Sequence, residues 1–488
     1  MAYTPITKTA TVVARANLSD YRWVRHDFTW SAAKRWLAGR PDGQGLNIGR
    51  ETVDRHVQDG RAEAVALRCL DRRGGHRDVT YGELMRQTNR FANALAALGV
   101  APGERVFALL DPGPELYVAA LGTLKYTAVL SPLSCALAPE QIRRRMVLGD
   151  ATTLVTTADL YERKVAPVRA EMPALRHVLV EGDRPPAGSI SLEQATAAAD
   201  DRFTVPPTGA QQTAMLQFTR GTTGAPKGVF HAHEAVAAHH ATALYALDLR
   251  PDDVFWCTAD PGEMTGTSYG IIAPLTHGVT VLVDAGDLDA DRWHTNVSRH
   301  RVTVCYTSPS TVRTLMRHGT EPAARRDPSA LRFIASGGEP LGPEAVLWGT
   351  RALGQPVHDT WWQTETGAIM ISNFAGVDIR PGAMGLPVPG VEVGLLHPEG
   401  GGRPRVRDGA VTVIDRPDAV GELALRSGWP SMFRGYLHDD ARYEQCFADG
   451  WYRTGDLASR DSDGYYWFAG RIDAAIGLPT PSTLEAPP

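Results

Sequence analysis

The chain has 488 residues, 43% of them hydrophobic and 22% charged, which is enough to bury several cores rather than a single one. Its formal net charge of −5 is small for this length, so no whole-molecule field gathers nucleic acid or an anionic membrane, and small molecules are the expected partners. The five cysteines, Cys69, Cys135, Cys257, Cys305 and Cys446, lie far apart in no paired spacing, which argues against a disulfide framework or a zinc site. The start, MAYTPITKTATVVARANLSDYRW, has no continuous apolar run, and no later stretch approaches the roughly 20 apolar residues of a spanning helix. These features predict a soluble, cytoplasmic protein.

In chain order, YGELMRQTNRFANALAALGV, beginning at Tyr81, places apolar residues three and four apart and predicts a helix, followed after Gly103 by the strand RVFALL. ELYVAALGTLKYTAVL reads as helix into strand. Over 211–340 the runs MLQFT, VTVLV, VTVCYT and LRFIASG are short and β-branched or aromatic, separated by amphipathic segments. Strands alternating with helices predict parallel sheets covered on both faces. Residues 181–211, rich in Pro, Ala, Asp and Gly, predict a mobile surface connection. After about residue 375 short strands with Gly and Pro turns predict a smaller antiparallel or barrel-like unit. GLPTPSTLEAPP at the end has three prolines and nothing to pack.

The most informative segment is FTRGTTGAPKGV, Phe218 to Val229. Gly221, Gly224 and Gly228 allow tight or left-handed backbone, so several N–H groups can converge on an anion. Thr222 and Thr223 add hydroxyl donors and Lys227 a positive charge, on a chain whose other lysines are only Lys8, Lys34, Lys125 and Lys164. The segment lacks the GxxxxGK[ST] spacing of the common nucleotide loop, yet its composition suits a polyphosphate. His231 and His233 follow two apart, a spacing open to metal ligation, but without nearby partners a structural or phosphate-side role is expected.

FTRGTTGAPKG resembles the phosphate-loop signature of the adenylate-forming superfamily of acyl-CoA synthetases, peptide-synthetase adenylation domains and luciferases. Ser336-Gly-Gly-Glu-Pro340, Asp359-Thr-Trp-Trp-Gln-Thr-Glu-Thr-Gly367, Tyr452-Arg-Thr-Gly-Asp456 and Gly470-Arg-Ile-Asp473 follow in the superfamily's order. LNIGRETVDRHV, CTADPGEMTGTSYGIIAPL and LRSGWPSMFRGY are most similar to acetyl-CoA synthetase and its short-chain relatives. The resemblance implies an α/β fold: a large N-terminal domain with two mostly parallel sheets flanked by helices, plus a small β-barrel-like subdomain. The expected division is an N-terminal segment over 1–50, AMP-binding subdomains over 51–375, the small β unit over 376–473 and a tail over 474–488. Relatives continue past the hinge aspartate, here Asp473, into a domain that carries a catalytic lysine and the thioester-forming surface. The last lysine here is Lys227, so that domain is expected to be missing from this polypeptide.

The resemblance also implies roles. ATP and Mg²⁺ are the expected cofactors, with Glu365 the metal ligand and CoA the co-substrate. Lys227, Thr364, Glu365 and Arg471 are the candidate catalytic residues. Thr219, Arg220, Gly221, Thr222, Thr223, Gly224 and Lys227 would hold the phosphates. Gly338, Glu339 and Pro340 would flank the adenine and Asp359 accept from its amine. Thr364 would contact the α-phosphate, Asp456 the ribose hydroxyls, and Arg471 the ribose or phosphates. Glu263, Met264, Thr265, Gly337 and Trp362 would form the acyl pocket, with the Trp362 indole as its floor.

Several positions depart from the family pattern. Arg220 stands in place of a serine, Glu263 and Met264 in place of Trp and Val, Gly337 in place of a valine, and Ala474 in place of a second aspartate after the hinge. Gly337 is expected to widen the pocket, which favours a compact or branched acid over both acetate and fatty acids. Glu263 would reach water or a donor on the substrate, since an unpaired buried carboxylate is costly. The reading is therefore an ATP-dependent, AMP-forming ligase activating a small carboxylic acid, by family default for transfer to CoA. Two alternatives stay open: a stand-alone adenylating enzyme that passes the group to an amine, carrier protein or other nucleophile, and a weakly active nucleotide-binding remnant or partner-completed subunit.

Overall fold

The computed structural model describes residues 3–39, 45–182, 184–219, 226–399, 403–404, 406–407 and 410–472. Among these, two large sheets form the body. One runs through nine strands, with Phe333–Ser336, Val304–Thr307, Val254–Cys257 and Thr280–Asp284 at its parallel centre and antiparallel pairs at both edges. The other runs through eight, with Arg105–Leu109, Val129–Pro132, Thr153–Thr157 and His177–Glu181 parallel. All four residues of Val304–Thr307 and of Phe333–Ser336 are buried, because helices cover parallel strands on both faces. A third, five-stranded antiparallel sheet contains Val393–Leu396, Gly421–Arg426, Trp451–Arg460 and Tyr466–Arg471. The α/β class and the smaller antiparallel unit are as the sequence predicts.

The helix Tyr81–Ala97 starts at Thr80, whose hydroxyl accepts from the Glu83 N–H while the Glu83 carboxylate accepts from the Thr80 N–H. Its buried face meets the helix Pro114–Tyr126, and there Lys125 is fully buried. The Lys125 ammonium donates to Asp54 Oδ1 at 2.6 Å, Thr88 Oγ1 at 2.9 Å and Asn89 Oδ1 at 2.8 Å, so each of its protons has an acceptor. This is a structural use of a lysine, clamping three helical segments.

Residues 181–211 differ from the expectation of a mobile connection. Ile190–Ser191 adds a parallel strand to His177–Glu181, and the Ser191 hydroxyl caps the helix Leu192–Ala197. Leu192 is buried, and Asn89, Arg90 and Asn93 donate to carbonyls at 199–202, so the segment is anchored despite its polar composition. No helix among the described residues is long and apolar enough to cross a membrane.

Removing one partner of a buried pair leaves an uncompensated charge, so Lys125→Ala should lower stability by about 3–5 kcal/mol. The expected outcome is a clearly lower urea midpoint than that of the wild type.

Candidate active site

Parallel α/β sheets place ligands outside the carboxyl ends of their strands. Here those ends open into a cleft of about 1390 Å³. The nine-stranded sheet contributes Thr258, Ser308, Gly337, Gly338 and Thr360 from just past or within the ends of four strands. The eight-stranded sheet contributes Thr219 and Lys227. These two are register partners across the antiparallel pair Thr213–Thr219 and Lys227–Ala232, so the phosphate-loop segment connects a hairpin rather than a strand and a helix. The small sheet supplies Tyr452, Asp456 and Arg471.

All the described candidate catalytic, nucleotide and acyl-pocket residues line this one cleft: Thr219, Lys227, Glu263, Met264, Thr265, Gly337, Gly338, Glu339, Pro340, Asp359, Trp362, Thr364, Glu365, Asp456 and Arg471. Arg220, Gly221, Thr222, Thr223 and Gly224 lie outside the described residues, as do Asp473 and the tail. His231 and His233 are buried beside the cleft. His231 Nδ1 lies 3.1 Å from the Ser431 carbonyl, and no group of three or more potential metal ligands occurs among the described residues. His233 Nδ1 accepts from the Ile48 N–H at 3.2 Å.

Asp359 is 5% exposed, and its Oδ1 has no hydrogen-bond partner among the described residues. Burial holds its carboxyl well above the usual carboxylate range. Buried polar atoms are nearly always paired, so an unpaired oxygen on a cleft wall marks a place for a donor from a ligand. Glu365 is half-buried, and its Oε1 accepts from the Tyr436 hydroxyl at 2.7 Å. Glu339 accepts from Ser310 at 2.8 Å and pairs with Arg313 at the rim.

Asp456 is 4% exposed, and burial raises its carboxyl while Arg471, Trp361 and Gln363 pull it back down. Its Oδ1 accepts from Arg471 at 2.8 Å, and its Oδ2 from Trp361 Nε1 and Gln363 Nε2, each at 3.0 Å. These three donors take three of the roughly four acceptor positions of a carboxylate, so among the described residues one stays open on Oδ1 and the second hydroxyl of a ligand diol would compete with a donor already in place.

The expectation that Gly337 widens the acyl end is corrected by the structure. A Cβ at this position would come within 2.5 Å of the Tyr306 hydroxyl and would also collide with Thr360 Oγ1. The volume vacated by the missing side chain is filled by residues of two neighbouring strands.

The AMP-binding enzyme family matches residues 53–437. The chain belongs to the AMP-binding enzyme family. Acetyl-coenzyme A synthetase of Bacillus subtilis (strain 168) is 37% identical to it over 464 residues, which cover 94% of this chain and 78% of the relative. Acetyl-coenzyme A synthetase of Deinococcus radiodurans is 36% identical over 477 residues, covering 91% and 70%. The crystal structure of Brucella canis acyl-CoA synthetase superimposes with a TM-score of 0.83 at 32% identity, over 93% of this chain and 80% of that one. The chain is an AMP-forming ligase by family, with the adenylate-forming fold that its motifs imply.

Within this family member the segment carrying Thr364 and Glu365 is held from beneath by groups that were assigned no role from the sequence. His239 Nε2 lies 2.9 Å from the Gly367 carbonyl, to which Ser268 also donates. Trp429 Nε1 and the Ser431 hydroxyl donate to the Thr366 carbonyl at 2.8 and 2.7 Å, and Tyr269 accepts from the Ile369 N–H at 2.7 Å. Burial pushes His231 down to about 3 and His239 to about 4, so both are neutral near pH 7. Trp361, Gln363, Tyr436 and Tyr452 all sit inside the quoted motifs, but only their hydrogen bonds reveal their part in the site.

Gly367 turns the segment with φ +71°, and a Cβ there would overlap the Ser431 carbonyl and approach the His231 ring to 3.0 Å. Gly367→Ala should therefore cost about 1–3 kcal/mol. A lowered melting temperature together with weakened ligand binding at the cleft is the expected outcome.

Proposed function

We propose that this chain activates a small carboxylic acid with ATP as an acyl-adenylate and transfers the acyl group to CoA. The observation that carries the reading is the Asp359 Oδ1, a buried acceptor without a partner on the wall of a cleft that collects the described adenylation residues. The names of the relatives, acetyl-coenzyme A and acyl-CoA synthetases, support CoA as acceptor.

Asp359 takes the adenine amine, with the backbone of Gly338, Glu339 and Pro340 beside the base. Asp456 takes ribose hydroxyls as Arg471 turns toward the phosphates. Lys227 and the loop residues Arg220, Gly221, Thr222, Thr223 and Gly224 hold the polyphosphate, with Thr219 at the hairpin end. Glu365 suits Mg²⁺, which is typically bound by one or two carboxylates together with substrate phosphates, and Tyr436 fixes its orientation. Bound there, the ion supplies charge neutralisation along the phosphates.

In the first step a carboxylate oxygen of the acid attacks the α-phosphorus, and the bond to the pyrophosphate oxygen breaks. Thr364 and Lys227 stabilise the charge that spreads over the phosphoryl oxygens, a task of position and electrostatics more than of covalent chemistry. In the second step the CoA sulfur attacks the acyl carbon, the thiol proton is lost and AMP leaves. Trp362, 8% exposed, closes the acyl end beside Met264 and Thr265, which keeps the acid short. The case for a branched acid falls with the open space that Gly337 does not provide.

ATP–pyrophosphate exchange over a panel of acids tests the reading: exchange should depend on a short acid, and exchange with none would overturn it. Glu365→Gln should weaken Mg²⁺-dependent nucleotide binding by about tenfold or more in calorimetry, as expected for loss of a charged ligand. Trp362→Gly should shift exchange toward longer acids, and unchanged preference would remove Trp362 from the pocket floor.

A further inference from the structure

Tyr306 is fully buried on the strand Val304–Thr307, one layer behind the acyl end of the cleft. Its hydroxyl joins two side chains from the strand Val357–Trp361 and the residue after it, two strands away in the sheet. The Trp362 indole Nε1 lies 2.9 Å from it, and Thr360 Oγ1 lies 2.9 Å on its other side. Thr360 donates its one proton to the Ser336 carbonyl at 2.8 Å, so the tyrosine must donate to Thr360 and accept from the indole. The result is a one-way relay from Trp362 through Tyr306 and Thr360 to a strand carbonyl. Tyr269 braces it edge-on, with ring centroids 5.4 Å from Tyr306 and 5.3 Å from Trp362.

Gly337 is the position that makes this relay possible. A methyl group there would fall 2.5 Å from the Tyr306 hydroxyl and collide with Thr360 Oγ1, so a larger residue and the relay cannot share the space.

We propose that Tyr306 is a positioning residue for acid selection: through its hydroxyl it fixes the plane of the Trp362 indole across the acyl end, and Gly337 provides the room for that contact. The inference rests on the reading above that the acyl group meets Trp362. Without the tyrosine hydroxyl the indole N–H is a buried donor with no acceptor, which favours any rotation that finds one. A tilted indole changes the depth of the pocket floor. Phenylalanine at 306 keeps the ring that packs on Tyr269, so the change isolates the hydroxyl.

The experiment measures kcat/KM for ATP–pyrophosphate exchange along the straight-chain acids from acetate to hexanoate, for wild type, Tyr306→Phe and Gly337→Ala. In parallel, calorimetry measures the affinities of acyl-sulfamoyl adenosines of the same acyl lengths. Both variants should change the ratio between the longest and shortest accepted acid by about tenfold, as loss of a buried hydrogen bond allows, with the KM for ATP unchanged. A purely structural role would lower all acids together and leave the ratio as it was. An unchanged ratio in both variants, whatever their melting temperatures, overturns the proposal. If Tyr306→Phe does not fold, Gly337→Ala decides, because it displaces the relay from the opposite side while keeping the tyrosine. A wild type that shows no acid-dependent exchange and binds none of the analogues is a different failure: it rejects the adenylation reading itself, and this inference with it.

Discussion

The site depends on the satisfaction of one buried carboxylate. Asp456 belongs to the small antiparallel sheet, yet of its three side-chain donors Trp361 ends the strand Val357–Trp361 of the large sheet and Gln363 lies two residues beyond it. Gln363 also donates to the Thr454 carbonyl and accepts from the Tyr452 hydroxyl at 2.8 Å, so the segment and the small sheet are keyed together at several points. A buried charge left without donors is strongly unfavourable, which makes the mutual placement of the two sheets specific. The cleft exists because these surfaces are held in that register.

Thr364 and Glu365 follow directly after Gln363, and their presentation follows from the same junction. Above, Tyr436 orients Glu365. Below, carbonyls at 366 and 367 accept from Trp429, Ser431 and Ser268, and His239 closes on the same backbone. Because burial keeps His231 and His239 neutral near pH 7, these two side chains bring no formal charge near Thr364 and Glu365. The charge in the described part of the cleft is left to exposed or half-exposed groups such as Lys227, Glu365 and Arg471, and to Asp456.

Hydrogen-bonded side chains also hold the cleft wall at Trp362. The Trp362 indole donates to the Tyr306 hydroxyl, which pairs in turn with Thr360. A cleft wall described from its lining residues alone therefore omits Tyr306, which bonds to one of them. Local sequence carries little trace of such a contact, because Tyr306 reads as one more aromatic in the apolar run VTVCYT.

The sequence by itself determined the strand runs of the parallel sheets, the helix beginning at Tyr81, the smaller antiparallel unit and the described candidate residues that meet in the cleft. Such features are written in local periodicity, propensity and contiguous motifs. Tertiary structure alone decided that residues 181–211 are anchored, that the phosphate-loop segment joins two antiparallel strands, and that both Asp456 oxygens are engaged. It also decided that the space beside Gly337 is filled. The physical reason is the same in each case: what a vacated volume or a polar atom meets is set by side chains that arrive from distant parts of the chain, and no local pattern records their arrival.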